Sequence, residues 1–111
     1  MLTVHTRPTI EPDKEGWEIV FWLGLAFDYS IPFREALRDI ADALSDAPVK
    51  LDLPPYDRDE DFVEGTLTFG ANQIAIYYEY SLGYLSLMSC ERDVLEAVAA
   101  RVFPMVEVRH F

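Results

Sequence analysis

The chain has 111 residues, and 20 acidic side chains against 9 Lys and Arg give it a formal net charge of −11. Half of the residues are hydrophobic, which excludes an intrinsically disordered chain, because disordered segments combine high net charge with few apolar residues. The length corresponds to a single domain, so we predict one domain over residues 1–111. The negative charge disfavours nucleic acid and anionic membrane surfaces as partners.

The targeting features of the sequence point to the cytoplasm. The single cysteine, Cys90, has no partner for an internal disulfide. Residues 1–10 lack the basic start and the apolar stretch of a signal peptide. The longest apolar run, residues 19–27, is shorter than the stretch of about 20 residues that a membrane-spanning helix needs. We therefore expect a cytoplasmic protein.

Two strands are predicted in the first third of the chain. Residues 2–10 alternate weakly and are rich in Thr and Val, which favours an edge strand, and residues 11–16 are typical of a polar turn. Residues 17–27 are apolar in both alternating sets, which is typical of a central strand. In such a strand one face carries Trp17, Ile19, Phe21, Leu23 and Leu25, and the other carries Val20, Trp22 and Ala26.

A first helix is predicted between Ser30, which suits an N-cap, and Pro48, which ends it. Pro32 is tolerated in the first turn because its missing N–H would be unpaired there anyway. Apolar residues recur at helical spacing, so this helix should bury one face made of Phe33, Ala36, Leu37, Ile40, Ala41 and Leu44.

The second half of the chain predicts three strands and a second helix. Residues 48–61 form a long connection in which Pro54 and Pro55 exclude regular structure, although residues 49–53 suit a short edge strand. The following pattern predicts strands at 62–69, 73–80 and 84–89, a helix at 91–102, and an optional terminal strand at 105–109.

This element order predicts an α+β fold. Short turns between successive strands favour a two-layer domain with a mainly antiparallel sheet of five to six strands and two helices packed on one face. The other face of the sheet is then open, and Trp22, Tyr77 and Tyr84 are candidates for it. By strand alternation, Tyr78 and Tyr80 lie on the opposite face from Tyr77.

The negative charge is concentrated in one segment. Residues 52–64 contain six acids and one arginine, a local charge of −5. Asp57, Asp59 and Asp61 match the start of a calcium-binding EF-hand loop, but that loop needs Gly at its sixth position and Glu at its twelfth, where this chain has Phe62 and Thr68. An EF-hand is therefore excluded. A solvated loop, a looser divalent-cation site and a partner-binding loop remain open.

No pattern of catalytic or metal-binding residues emerges. His5, His110 and Cys90 lack the closely spaced ligand pairs of metal sites, and no phosphate-binding glycine loop or nucleophile motif occurs. Cys90 precedes the second helix, where a thiol can become reactive, but a buried small apolar residue is the expected role. We predict no metal, no cofactor and no enzymatic activity.

In size, charge and α+β organisation the chain resembles the small acidic immunity proteins of bacteria, including those of contact-dependent growth inhibition systems. The resemblance implies that the protein neutralises a basic toxin, for example a nuclease, by occluding its active site with carboxylates that stand in for phosphate. The candidate contacts on this interpretation are Tyr56 as an anchor together with Asp57, Asp59, Glu60, Asp61 and Glu64.

Two other functions remain open. One alternative is that the chain is an assembly module, which forms a homodimer through an exposed aromatic face of its sheet. The other alternative is a small-ligand binder or an enzyme, with a pocket between the helices and the sheet.

Overall fold

The computed structural model describes residues 2–109. Along the chain the elements are β1 (Leu2–Val4), β2 (Ile10–Asp13), β3 (Gly16–Trp22), α1 (Phe33–Ala43), β4 (Val49–Asp52), β5 (Phe62–Phe69), β6 (Asn72–Glu79), β7 (Tyr84–Ser89), α2 (Arg92–Val102), a 3-10 turn (Phe103–Met105) and β8 (Val106–Val108).

Six strands form one antiparallel sheet in the order β2-β3-β7-β6-β5-β4. Strands β5, β6 and β7 follow one another through short turns, and β3 lies against the far side of β7. A separate parallel pair joins β1 to β8, so that the two ends of the described chain are neighbours. The predicted α+β fold with a mainly antiparallel sheet is confirmed.

One face of the sheet and the apolar stripes of both helices share a single core. The strand residues that are fully buried alternate along each strand, as in Ile19 and Phe21 of β3 or Leu85 and Leu87 of β7. The stripe predicted for α1 is buried at Phe33, Leu37 and Ile40 among others. Burial of these side chains is the main favourable contribution to folding, at about 1.5–3 kcal/mol for each large apolar group.

The opposite side of the sheet, which we call the open face, carries partly exposed side chains. Trp22, Tyr77 and Tyr84 lie there and are half-buried, whereas Tyr78 is fully buried on the helix side. The predicted assignment of these aromatic residues is therefore confirmed, and it follows from strand alternation.

The predicted first strand is wrong in extent. Residues 2–10 do not form one strand, because the chain bends after Val4 and Pro8 has no N–H to donate to a ladder. The turn predicted at residues 11–16 is shorter in the structure, because β2 extends to Asp13 and only Lys14 and Glu15 turn the chain into β3.

The predicted strand at residues 17–27 is also too long, since β3 ends at Trp22. Its neighbour β7 begins only at Tyr84, which pairs with Trp22, so residues beyond Trp22 have no ladder partner. The chain therefore leaves the sheet, and Leu25 and Phe27 become exposed instead of packing in the core.

Helix α1 starts later than its predicted cap. Ser30 does not cap the helix; its hydroxyl and its N–H both donate to the carboxylate of Asp28, and Pro32 occupies the N-cap position without a side-chain hydrogen bond. Within residues 2–109 no helix combines the length and the apolar character needed to cross a membrane.

Candidate functional site

Three loops meet at one end of the sheet. They comprise residues 24–30, 56–62 and 80–83, and we call this region the tip. The N–H of Phe27 donates to the carbonyl of Tyr80 over 3.0 Å, and the N–H of Tyr80 donates to the carbonyl of Asp61 over 2.9 Å. Because these backbone bonds link each loop to the next, the tip is one connected surface.

Close backbone approach fixes two of the loops against each other. Gly83 has φ +72, and a Cβ atom there would lie 2.5 Å from the carbonyl oxygen of Gly24. The N–H of Leu23 also donates to the carbonyl of Gly83 over 3.0 Å. Only glycine meets both requirements at position 83, because it has no side chain and adopts positive φ without strain.

The tip gathers the exposed apolar side chains of the molecule. Among residues 2–109, all six large hydrophobic residues with exposed side chains belong to the tip, and each is between 49% and 70% exposed. They are Leu25, Phe27, Tyr29, Tyr56, Phe62 and Leu82. Exposed apolar groups scattered singly need no explanation, whereas a clustered patch marks a site of interaction.

Phe27 is held in an unusual backbone conformation. Its φ is +61, in the left-handed region that bulky residues rarely adopt, and its side chain is 70% exposed. The conformation costs about 1–2 kcal/mol for a residue with a Cβ. Burial of the ring does not offset this cost within the described chain, so the strained residue is a candidate for contact with another molecule.

The acidic loop of the tip is attached to the domain through Glu60. Both carboxylate oxygens of Glu60 accept hydrogen bonds from Arg34, at 2.9 Å from Nη2 and 3.4 Å from Nε. The hydroxyl of Tyr78 donates to the same carboxylate over 2.8 Å, and that of Tyr80 over 3.3 Å. The Glu60 side chain is only 8% exposed, so its role in the structure is internal.

The electrostatics of this cluster follow from its contacts. Burial favours the protonated form of Glu60, but hydrogen bonds from Arg34 and Tyr78 outweigh it and hold the pKa of the carboxyl below its usual range. Burial and the charge of Glu60 raise the pKa of Tyr80 to about 12. Glu60 is therefore a charged anchor for the loop at neutral pH.

The other acidic residues predicted as contacts are displayed outward. Asp57, Asp59 and Asp61 are exposed on the loop that Glu60 anchors, and Tyr56 is exposed beside them. The guanidinium of Arg34 lies 5.6 Å from the centre of the Tyr56 ring, which places that ring over the anchor. The structure thus brings Tyr56 and the three aspartates together on the exposed side of the loop. Glu60 differs from them because its side chain is buried and holds the loop in place.

Glu64, the last predicted contact, lies on the open face beyond the tip. It is exposed and stands directly opposite Tyr77 in the pairing of β5 with β6. Tyr77 belongs to a row of aromatic rings that crosses the open face. Their centres are 5.3 Å apart for Trp22 and Tyr84, 5.9 Å for Tyr84 and Tyr77, and 6.0 Å for Tyr77 and Phe62.

Four residues of the tip were not identified from the sequence, namely Leu25, Phe27, Tyr29 and Leu82. Tyr29 stacks on Tyr80 with 5.4 Å between ring centres, and burial together with the Asp61 carboxylate raises the pKa of the Tyr29 hydroxyl. The available sequence signal was Asp28 followed by Ser30, since such residues favour local turns over strands. That turn begins after Phe27, where the predicted strand already ends, so by itself it does not reveal that Leu25 and Phe27 are exposed.

Cys90 and His5 belong to no metal site among residues 2–109. Cys90 is exposed, so the expectation that it is a buried apolar residue is wrong; the chain turns away from the sheet there, and the N–H of Glu91 donates to Ser89. His5 packs beside Trp22, and His110 lies outside the described residues. Within residues 2–109, no group of three or more His, Cys, Asp or Glu side chains is placed to hold a metal ion.

Comparison of the chain with protein-family models, with curated protein sequences and with solved structures gives no match. The tip combines six exposed large apolar side chains with five acidic residues and one arginine.

Proposed function

We propose that this protein binds a basic protein surface with its tip and thereby blocks the function of that partner. The observation that carries the proposal is the clustering of every exposed large hydrophobic side chain of residues 2–109 on the loops that also hold the acidic segment. Apolar anchors supply contact energy at the centre of an interface, and surrounding carboxylates select a cationic partner and speed its association.

The anchored loop supports this role physically. A flexible acidic loop would lose conformational entropy on binding, which weakens affinity. Glu60 holds the loop against Arg34 and Tyr78 before any partner arrives, so Asp57, Asp59 and Asp61 are presented in advance. Preorganisation of this kind favours a dedicated inhibitor over a loosely selective acidic surface.

The narrower proposal is an immunity function in the cytoplasm of a bacterium. In that role the tip carboxylates occupy a site that would otherwise bind phosphate groups of a nucleic acid. A partner of this kind is basic and harmful to the cell in the absence of its inhibitor.

The test is capture of a partner with three immobilised forms of the full chain. One form is unchanged, one carries Asp57→Asn, Asp59→Asn and Asp61→Asn, and the control carries Glu35→Gln, Asp39→Asn and Asp42→Asn on α1. Both variants lose three negative charges, so any difference between them reports position. The captured protein is then purified and its affinity for each form is measured at several salt concentrations.

The expected partner is basic, binds the unchanged chain and the α1 control alike, and binds the tip variant about 3- to 150-fold more weakly, since three rim charges contribute about 0.2–1 kcal/mol each. An equal loss of affinity in both variants would show that only the net charge of the chain matters, and it would contradict an interface at the tip. Expression of the partner without this chain should arrest growth, and normal growth would refute the immunity function alone.

Self-association through the open face is the second candidate, because Trp22, Tyr84, Tyr77 and Phe62 form a continuous aromatic row there. Light scattering across a concentration series distinguishes self-association from binding of a basic partner. A homodimer held by this row should dissociate when Trp22→Ala is introduced and should respond little to salt. A monomer at all concentrations would exclude this candidate.

A further inference from the structure

A shallow depression lies on the open face outside the tip. Its volume is about 270 Å³, and it spans strands β5, β6 and β7. The residues that line it are Glu64, Gly65, Ala75, Ile76, Tyr77 and Met88.

The depression exists because a small side chain lies between larger ones. Ala75 pairs with Met88 on one neighbouring strand and with Thr66 on the other. Its methyl group forms a low floor, and Met88 and the Tyr77 ring rise beside it. The dimensions suit one extended side chain from another molecule.

One acidic side chain, Glu64, lines the depression, and two more, Glu18 and Glu79, lie elsewhere on the open face. Glu64 stands opposite Tyr77, and its charge adds to a raised pKa of Tyr77 that arises chiefly because the Tyr77 hydroxyl donates to Glu79 over 2.6 Å. Glu18 accepts a hydrogen bond from Ser86 on the same face. The four ion pairs formed within residues 2–109 involve none of these three glutamates.

We propose that this depression binds an arginine side chain of the basic partner. The guanidinium pairs with the Glu64 carboxylate and lies against the Tyr77 ring, while the alkyl stem contacts Met88. A planar guanidinium suits this setting better than an ammonium, because it stacks on aromatic rings and pairs with a carboxylate through two hydrogen bonds. The identity of the partner rests on the proposed function, but the depression can be tested without it.

The probe is ethylguanidinium, with uncharged N-ethylurea as a control of the same shape. Each is titrated into the isotopically labelled full chain at constant ionic strength, and backbone amide shifts are followed by NMR. Ethylguanidinium should produce saturable shifts centred on Glu64, Ala75, Tyr77 and Met88. N-ethylurea should produce none of comparable size at these positions.

Variants locate the site. Glu64→Gln should weaken ethylguanidinium binding by about three- to fivefold, as expected for loss of an exposed ion pair. Glu35→Gln removes the same charge from the exposed surface of α1 and should leave the affinity unchanged. Tyr77→Leu should weaken binding further than Tyr77→Phe, which keeps the ring, provided that thermal unfolding shows both variants folded.

Shifts that spread over all acidic residues and respond equally to Glu64→Gln and Glu35→Gln would overturn the inference, as would an equal response to N-ethylurea. The outcome is separable from that of the proposed function. Failure of guanidinium binding with tip-dependent partner capture intact refutes this inference alone. Guanidinium binding at the depression without capture of any basic protein by the tip refutes the proposed function alone.

Discussion

Replacement of Glu60 by glutamine isolates the anchor of the acidic loop. Glutamine keeps the size of the side chain and one acceptor oxygen but removes the charge that Arg34, Tyr78 and Tyr80 now contact. Because the Arg34 side chain is only 18% exposed, its charge would remain partly desolvated without a counter-ion. The substitution should therefore reduce stability well beyond the effect of an ordinary surface change.

The magnitude follows from the geometry. Loss of one partner of a fully buried ion pair costs about 3–5 kcal/mol. Arg34 keeps some contact with water, so a cost of about 2–3 kcal/mol is expected for Glu60→Gln. For a domain of this length that corresponds to a fall in melting temperature of about 8–12 °C.

The assay is urea unfolding followed by circular dichroism, with Glu35→Gln as the matched control. Glu35 is exposed on α1, and its substitution should change the free energy of unfolding by less than about 0.5 kcal/mol. A double-mutant cycle with Arg34→Gln should give a coupling energy of about 1–2 kcal/mol between the two side chains. A Glu60→Gln variant that is as stable as the control and shows no coupling to Arg34 would refute the claim that Glu60 anchors the acidic loop.

The contribution of Glu60 to the free energy of unfolding depends on pH, and the sign of this dependence follows from its pKa. The pKa of Glu60 is depressed in the folded protein, so its stabilising contribution is present above the unfolded value near 4.5 and is lost as the pH falls through the folded value. The stability difference between the wild type and Glu60→Gln should be constant near neutral pH and shrink in acid. A difference that grows in acid would contradict this assignment.

Four further predictions follow from single residues. Phe27→Gly should leave stability unchanged or raise it by up to about 1 kcal/mol in thermal unfolding, because strain at positive φ is relieved, yet it should weaken partner binding. Gly83→Ala should cost about 3 kcal/mol in urea unfolding because its Cβ meets backbone, whereas Gly70→Ala, also at positive φ but in open space, should cost about 1–2 kcal/mol. Alkaline absorbance titration should show late ionisation of Tyr80, near pH 12. Cys90 should react with a thiol reagent in the folded protein, because it is exposed.

Each of these has a contrary result. A less stable Phe27→Gly variant would show that the Phe27 ring packs in the folded protein. Equal costs at Gly83 and Gly70 would contradict the close approach of the loops. Ionisation of all tyrosines near their usual pKa would contradict burial of Tyr80, and a thiol that reacts only after unfolding would contradict exposure of Cys90.

The sheet was largely predictable because its signals are local. Strands β5 and β7 have the predicted bounds, because turn residues flank their alternating patterns. Gly70 follows β5, and Gly83 precedes β7. The end of β3 was not predictable from its own residues. Leu23 to Phe27 continue the apolar pattern, but β7 begins only at Tyr84, so no neighbouring strand pairs with them.

The candidate site was predictable only in part. Composition identified the acidic segment and Tyr56, but it cannot distinguish Glu60 from its acidic neighbours. The inward turn of Glu60 depends on Arg34 from α1 and Tyr78 from β6, which are 26 and 18 residues away in sequence. The apolar half of the tip was missed for the same reason, since exposure of Leu25 and Phe27 is decided by tertiary contacts.

Hydrogen–deuterium exchange on the complex with the captured partner tests the central claim most directly. If the tip is the interface, binding should slow exchange in residues 24–30, 56–62 and 80–83 and leave helices α1 and α2 unchanged. Protection that falls on the helices, or on the β4 edge without the tip loops, would contradict the account.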